Sequence, residues 1–368
     1  LAALRAPATG RENSAVGSNN WAVDGAHTKS GAALLANDMH LGLAVPNTWY
    51  RVRLLVARES PADRRDLMGL TLPGAPIMVV GSNGHIAWGF TNSYGDWTDL
   101  VRVERSPDRG HYRTAAGWAP LQRFVETVRS SSGATREVLV EQTQWGPLLP
   151  AAEKAGEGTL ALAWTAHDPA ATNLRWLQLE DVHECASALA VANTIGGPAQ
   201  NFVCADAGGN IGWTLLGRMP LRGTGYDAGV PADWTQPDAG WQGWRDPATY
   251  PRLLNPPAGR IWTANNRVVG AERLAAIGDG SPDRGARAQQ IRDELLAIPA
   301  GQATEADMLR IQLDDRALFL VRWRDFLLGL LDADALRDKP KRAALRRQIE
   351  KWDPRAAKGA VGYRLVRE

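Results

Sequence analysis

Very little in this chain calls for a metal cluster, a nucleotide or a membrane. Its 368 residues hold two cysteines, Cys185 and Cys204, which excludes a disulfide-rich scaffold. They lack CxxC spacing, so no zinc-ribbon pattern exists, and whether they pair with each other stays open. No apolar run approaches the roughly 20 residues that cross a bilayer, and no membrane span is expected. With 42 basic residues against 40 acidic ones the net charge is only +2, giving no electrostatic case for nucleic acid. The basic cluster Lys339, Lys341, Arg342, Arg346 and Arg347 lacks interleaved aromatic platforms and reads as a solvated helix face. There is no Walker loop, no GxGxxG after a strand and no GxSxG elbow. His183-Glu184 runs into Cys185-Ala186-Ser187, so the second histidine of a zinc HExxH is missing. No period of about 20 to 50 residues recurs, which excludes a repeat array.

What is present belongs to a globular chain, 44% hydrophobic and 22% charged, long enough for one large domain or two ordinary ones. From Trp21 to about Ala264 short apolar runs alternate with turn chemistry. Strands are expected at 48–56, 77–80, 85–90, 100–105, 137–142, 159–164, 201–204 and 211–216. Turns or loops are expected at "VGSNG", "DAGGN" and "PRLLNPPAG". Residues 173–193 carry apolar spacing nearer three and four, which predicts a helix. From Ala286 onward the helical period dominates, with Thr304 ahead of Glu305 and Asp307 as an N-cap. The class is therefore α+β, strand-rich with C-terminal helices.

The stretch "AVGSNNWAVDGAHTKSGAALLANDMHLG" reads as a β-hairpin with Ser18 at the outer end of its first strand. A serine there is ordinarily a hydrogen-bonding spacer. An N-terminal serine, however, can serve as its own base, because an α-amine of reference pKa about 7.7–8.0 is substantially neutral near pH 8. Such an amine replaces the histidine of a triad, provided the chain is cut ahead of the serine. Gly17 suits that cut, since a residue without a side chain permits a strained backbone at the attacked carbonyl.

"GSNNWAVDG", "LLANDMHLGL" and "PNTWYRVRL" resemble the start of the β-chain of the penicillin acylase family of N-terminal-nucleophile amidohydrolases. "PGAPIMVVGSNGHIAWGFTNSYGDWTDL", "GNIGWTLLGRMP", "GRIWTANNRV" and "RAQQIRDEL" follow in the family's order, over most of the span from Gly17 to Leu296. The resemblance implies a four-layer αββα sandwich. It also implies that residues 1–17 are the end of an α-segment or linker, and that 18–368 are a β-chain incomplete at its C-terminus. Ser18 would be the nucleophile, exposed by autocatalytic cleavage. Asn92 matches the position whose backbone N–H forms half of the oxyanion hole, and Asn265 the side-chain amide that forms the other half. His40 matches a position that orients the serine through the backbone, and Arg287 an arginine that supports the site.

"GDWTD" is a second constellation: Asp96, Thr98 and Asp99 offer two carboxylates and a carbonyl, which suits Ca²⁺. The resemblance implies a structural calcium here, with further oxygens from other loops and the α-chain; Asp279 and Asp283 are both near the place of the distal carboxylate. No organic cofactor is implied. The implied partner is an α-chain from the same precursor, and the implied location periplasmic or secreted. The implied reaction is hydrolysis of a small N-acyl amide, with acylated β-lactams, N-acyl homoserine lactones and other N-acyl amines left open. Fifteen tryptophans allow a different reading, a non-catalytic β-module that binds a ligand.

Overall fold

Residues 17–23 show how the molecule is layered. Trp21 and Val23 point to one side of the strand, Asn20 and Ala22 to the other, and all four are buried. A strand buried on both faces must lie between two layers. The computed structural model describes residues 16–42, 44–57, 65–154, 156 and 158–368; residues 1–15 of the segment 1–17, expected to be the end of an α-segment or linker, lie outside the described residues.

The central strands are β1 (Gly17–Val23), β2 (Leu34–His40), β3 (Tyr50–Val56), β4 (Arg65–Thr71), β5 (Val80–Ser82), β6 (Ile86–Asn92), β7 (Gln200–Asp206), β8 (Ile211–Leu216), β9 (Arg252–Leu254) and β10 (Arg260–Thr263). They form two antiparallel sheets, in order β10-β1-β2 and β9-β8-β7-β6-β5-β4-β3. The hairpin runs in unbroken register from Gly17 opposite His40 to Val23 opposite Leu34. Four helices matter to the site: α1 (Cys185–Ala192), α2 (Ala286–Ala297), α3 (Glu305–Gln312) and α4 (Leu318–Leu330).

Three apolar clusters stack these parts. Trp21, Val23 and Ala36 pack against Ile291, Leu295, Met308 and Ile311 of α2 and α3. Ala22 and Ile261 meet Val203, Trp213 and Leu215 between the sheets. Trp88, Phe202 and Cys204 face Cys185, Ala188 and Leu189 of α1 on the far side. The order is helix, sheet, sheet, helix, which is the expected αββα sandwich. Where the sheets come closest a side chain would not fit: a Cβ on Gly89 would lie 2.8 Å from Asn20 Nδ2 and 2.9 Å from Asn37. Trp21, Trp88 and Trp213 are fully buried, and each indole buries about 200 Å², worth roughly 5 kcal/mol. These tryptophans are core, so they do not form the ligand platform of the alternative reading.

Outside the sandwich, Thr98–Arg102 pairs with Leu160–Trp164, and Gln122–Arg129 with Thr135–Thr143. Several expectations are corrected. The helix expected over 173–193 is a 3₁₀ segment (Leu174–Asp181) followed by α1. The Asn83 amide takes the carbonyls of Leu179 and Val182, which ends the first segment, and Asp206 accepts from the Cys185 N–H, which starts the second. The helical run from Thr304 breaks between α3 and α4, where Asp314 accepts from the Arg316 N–H and Ala317 N–H bonds to Pro354 O. Thr304 does cap α3, in a reciprocal capping box with Asp307. The strand expected at 77–80 begins only at Val80 and runs as β5 into "VGSNG", whose first three residues are strand rather than turn, and "PRLLNPPAG" contains the short strand β9.

Candidate active site

Ser18 lies second in β1 on the face turned to the other sheet, and the end of β10 brings Asn265 to it. Asn265 has φ +66°, a left-handed conformation that asparagine tolerates better than most residues. The turn is fixed by neighbours: Ala264 N–H donates to Asn266 Oδ1, and Asp283 N–H donates to Asn265 O. Its amide, 1% exposed, makes four contacts. Nδ2 donates to Ser18 Oγ at 3.0 Å and to Asn92 O at 3.0 Å. Oδ1 accepts from Ser18 N–H at 2.7 Å and from Arg287 Nη2 at 3.0 Å.

Arg287, in the first turn of α2, braces this corner. Its Nη1 reaches Ser18 O at 3.0 Å and Asn19 Oδ1 at 2.7 Å, and its Nη2 reaches Asp283 Oδ2 at 3.2 Å. Gly17 keeps a backbone outside the left-handed region, so the glycine supplies room rather than an unusual torsion. A Cβ there would stand 3.1 Å from Arg287 Nη2 and 3.3 Å from Asn265 Oδ1.

The structure thus brings Ser18, Asn92, Asn265 and Arg287 together. His40 is set apart from the hydroxyl. Met39, opposite Ser18, lines the same cavity as the serine, whereas His40 turns to the other face. There its Nε2 lies 3.1 Å from Asn19 Nδ2 and 3.2 Å from Asp38 Oδ1, so its ring meets the serine's corner through Asn19, while its backbone lies opposite Gly17 in the ladder.

Asn201 was not legible in the sequence as part of this corner. Buried on β7, its Nδ2 donates to Thr91 Oγ1 at 3.0 Å and to Thr263 Oγ1 at 3.3 Å, and lies 3.4 Å from Asn92 O. Its Oδ1 accepts from the Trp213 indole. Thr91 and Thr263 hydroxyls bond each other at 2.9 Å across the sheets. This network ties the end of β6, with Asn92, to the end of β10, with Asn265.

Ser18, Asn92 and Asn265 form one wall of a cavity of about 470 Å³. Its depth is apolar, with Met39, Leu72, Ile77, Val79, Phe90 and Trp176, and none of the described residues lining it carries a charge.

The acidic turn lies one loop beyond Asn92. Asp96 N–H donates to Ile277 O and Gly280 N–H to Tyr94 O, which stitches residues 94–99 to 277–280. Of the two distal carboxylates, Asp279 lies near Asp96 and pairs with Arg267, while Asp283 serves Arg287. Arg222, also missed, runs between the two acids: Nη2 is 2.9 Å from Asp99 Oδ2 and 3.3 Å from Asp96 Oδ2. Tyr226 and Trp241 donate to Asp99 as well. Burial pushes the Asp96 carboxyl up to about 6, with Arg222 opposing and Asp99 adding to the rise. One guanidinium therefore faces the buried Asp99 and the partly buried Asp96, and the net negative charge suits a hard cation. Among the described residues no group of three or more His, Cys, Asp or Glu side chains could hold a metal alone, so a cation here needs further oxygens.

The family model for penicillin amidase matches residues 1–368. The chain is 29% identical over 324 residues to the acyl-homoserine lactone acylase QuiP of Pseudomonas aeruginosa, an alignment covering 83% of this chain and 36% of that protein. It is 27% identical over 356 residues to the penicillin acylase 2 proenzyme of Pseudomonas sp. strain SE83, covering 94% and 43%. The solved thermostable penicillin G acylase of Alcaligenes faecalis superposes with a TM-score of 0.72 at 21% identity, covering 93% of this chain and 60% of that one, which supports the fold. The chain spans about 36% to 43% of the length of these two curated relatives.

Proposed function

Because this chain belongs to the penicillin amidase family, we propose that it carries the catalytic corner of an amidohydrolase that cleaves N-acyl amides with Ser18 as nucleophile. The observation that carries the reading is the Asn265 amide, which holds the Ser18 hydroxyl at the mouth of an uncharged apolar cavity.

In the continuous chain the Ser18 nitrogen is an amide with no basicity, so the precursor is inert toward substrate. Cleavage of the Gly17–Ser18 bond turns it into an amine. The amine keeps its N–H contact to Asn265 Oδ1 and gains a lone pair that accepts the hydroxyl proton, directly or through a water. Ser18 Oγ attacks the amide carbonyl, and the oxyanion is taken by Asn265 Nδ2 and the Asn92 backbone N–H. The protonated amine passes its proton to the leaving nitrogen. Water then attacks the acyl-serine, with the same amine as base, and the acid departs.

The cavity selects the acyl group. A carboxylate buried among Met39, Ile77, Val79 and Phe90 would have no partner, at a cost of several kcal/mol. The expected result is a kcat/KM for octanoyl or phenylacetyl p-nitroanilide at least about 100-fold above that for the glutaryl compound. Equal values in the complete, processed enzyme would overturn the acyl assignment. The amine side is less constrained; the relatives' names cover both penicillin and acyl-homoserine lactone substrates. Octanoyl-homoserine lactone and an acylated β-lactam are therefore the natural test pair.

The enzyme would work with an α-chain from the same precursor, in a periplasmic or secreted location, and with a structural Ca²⁺. Asp96, Asp99 and the Thr98 carbonyl would hold the ion, which neutralises charge and steadies the loop after Asn92 without touching substrate. A ligand bound only to the folded form stabilises by about 2.7 kcal/mol at a hundredfold excess over its Kd. Chelation of the complete enzyme is accordingly expected to lower Tm, and Asp96→Ala to remove that sensitivity. Absence of bound calcium by elemental analysis, with no chelator effect on Tm, would refute it.

A further inference from the structure

Cys185 and Cys204 are the two cysteines of the chain, and the mechanism uses neither. Cys185 is the first residue of α1, and Cys204 lies within β7, on the face that packs against that helix. Both are fully buried, and their sulfurs stand 2.6 Å apart. Non-bonded carbon atoms settle at about 3.5–4.0 Å, and sulfur is larger than carbon. Two thiolates sharing a tetrahedral metal at about 2.3 Å each would hold their sulfurs about 3.8 Å apart. Neither contact accounts for the approach.

The surroundings are built for a junction. Asp206, two residues along β7, accepts from the Cys185 N–H at 2.9 Å, so the start of α1 is anchored at the same place. Opposite Cys204 on β8 stands Gly212, where a Cβ would lie only 3.1 Å from the Cys204 sulfur. We propose that Cys185 and Cys204 form a disulfide that clamps α1 to β7. The 3₁₀ segment just before α1 carries Trp176, a wall of the acyl cavity, so the bond would secure the layer behind that wall.

In the reaction the two thiols lose two protons and two electrons, and one S–S bond forms. A disulfide-bearing oxidant accepts the electrons by thiol–disulfide exchange and becomes a dithiol. Both sulfurs are closed off from solvent once α1 is docked, so a disulfide-bearing oxidant reaches them before that docking. Afterwards the bond is shielded from reductants until the protein opens.

The test uses the complete gene product produced in an oxidising compartment. It is unfolded in guanidinium without reductant, alkylated and digested, and the peptides carrying the two cysteines are followed by mass spectrometry. The expected result is one peptide pair joined through Cys185 and Cys204, with neither alkylated, that separates into two alkylated peptides after reduction. Protein unfolded, reduced and refolded with reductant should melt about 5 °C or more lower than the oxidised form. Alkylation of both cysteines without prior reduction, or their linkage to other partners, would overturn the proposal.

Discussion

Replacing Ser18 by alanine is expected to leave the complete gene product as one uncut chain with amidase activity lower by roughly 10⁴-fold or more. Both losses have one cause. The hydroxyl is the group that Asn265 Nδ2 holds at 3.0 Å, and no other described serine lies on the cavity wall with Asn92 and Asn265. Without it neither the Gly17–Ser18 peptide nor a substrate amide meets a nucleophile. Intact mass separates the steps: the parent protein should give two chains, the second starting Ser-Asn-Asn-Trp. A single uncut chain with full amidase activity would sink the mechanism. The substitution should be mild for the fold, since the side chain is small and its neighbours stay tied by Arg287 to Ser18 O. Activity of the parent should rise with pH as the α-amine loses its proton, because only the neutral amine is a base.

How much of this was legible in the residues depends on how local each signal is. The hairpin of β1 and β2 was readable because two short apolar runs, 21–23 and 32–35, flank a Gly- and Ser-rich turn. The pair Asn265-Asn266 and the spacing from Arg287 to Ile291 were readable as parts of ordered motifs. The strand Gln122–Arg129 was not, because every residue in it is exposed and no buried face imposes alternation. The helix over 173–193 failed for a different reason. Its period is real, but Asn83, about 100 residues earlier in the chain, takes the carbonyls that would have continued it.

The same distance problem hid the partners of the site. Arg222 meets Asp99 across 123 residues, and Asn201 lies 110 residues from Thr91. Neither carries a motif of its own. Asn201 reads as an ordinary polar residue at a strand start until the two sheets face each other. Stacking them turns Thr91, Thr263 and Asn201 into a bridge between the strand ends that present Asn92 and Asn265. The chemistry is thus written at the ends of strands, and its alignment is written in the layer between them.

Asn265→Ala is expected to lower kcat by roughly 10² to 10³ with little change in KM. In the resting site the amide is fully engaged, with Nδ2 shared between Ser18 Oγ and Asn92 O. When Oγ becomes part of the acyl adduct, the N–H that pointed at it is free to meet the oxyanion forming beside it. That interaction strengthens only as charge develops, so its loss falls on turnover rather than on binding. Cleavage at Gly17–Ser18 should slow by a similar factor, yet it is a single turnover and still goes to completion on long incubation. Alanine at φ +66° adds a backbone cost of about 1–2 kcal/mol, which could be mistaken for a folding effect. Asn265→Gly removes the same amide without that strain, and should lose turnover equally while melting closer to the parent. A loss below about fivefold in the fully cleaved glycine variant would remove Asn265 from the oxyanion hole.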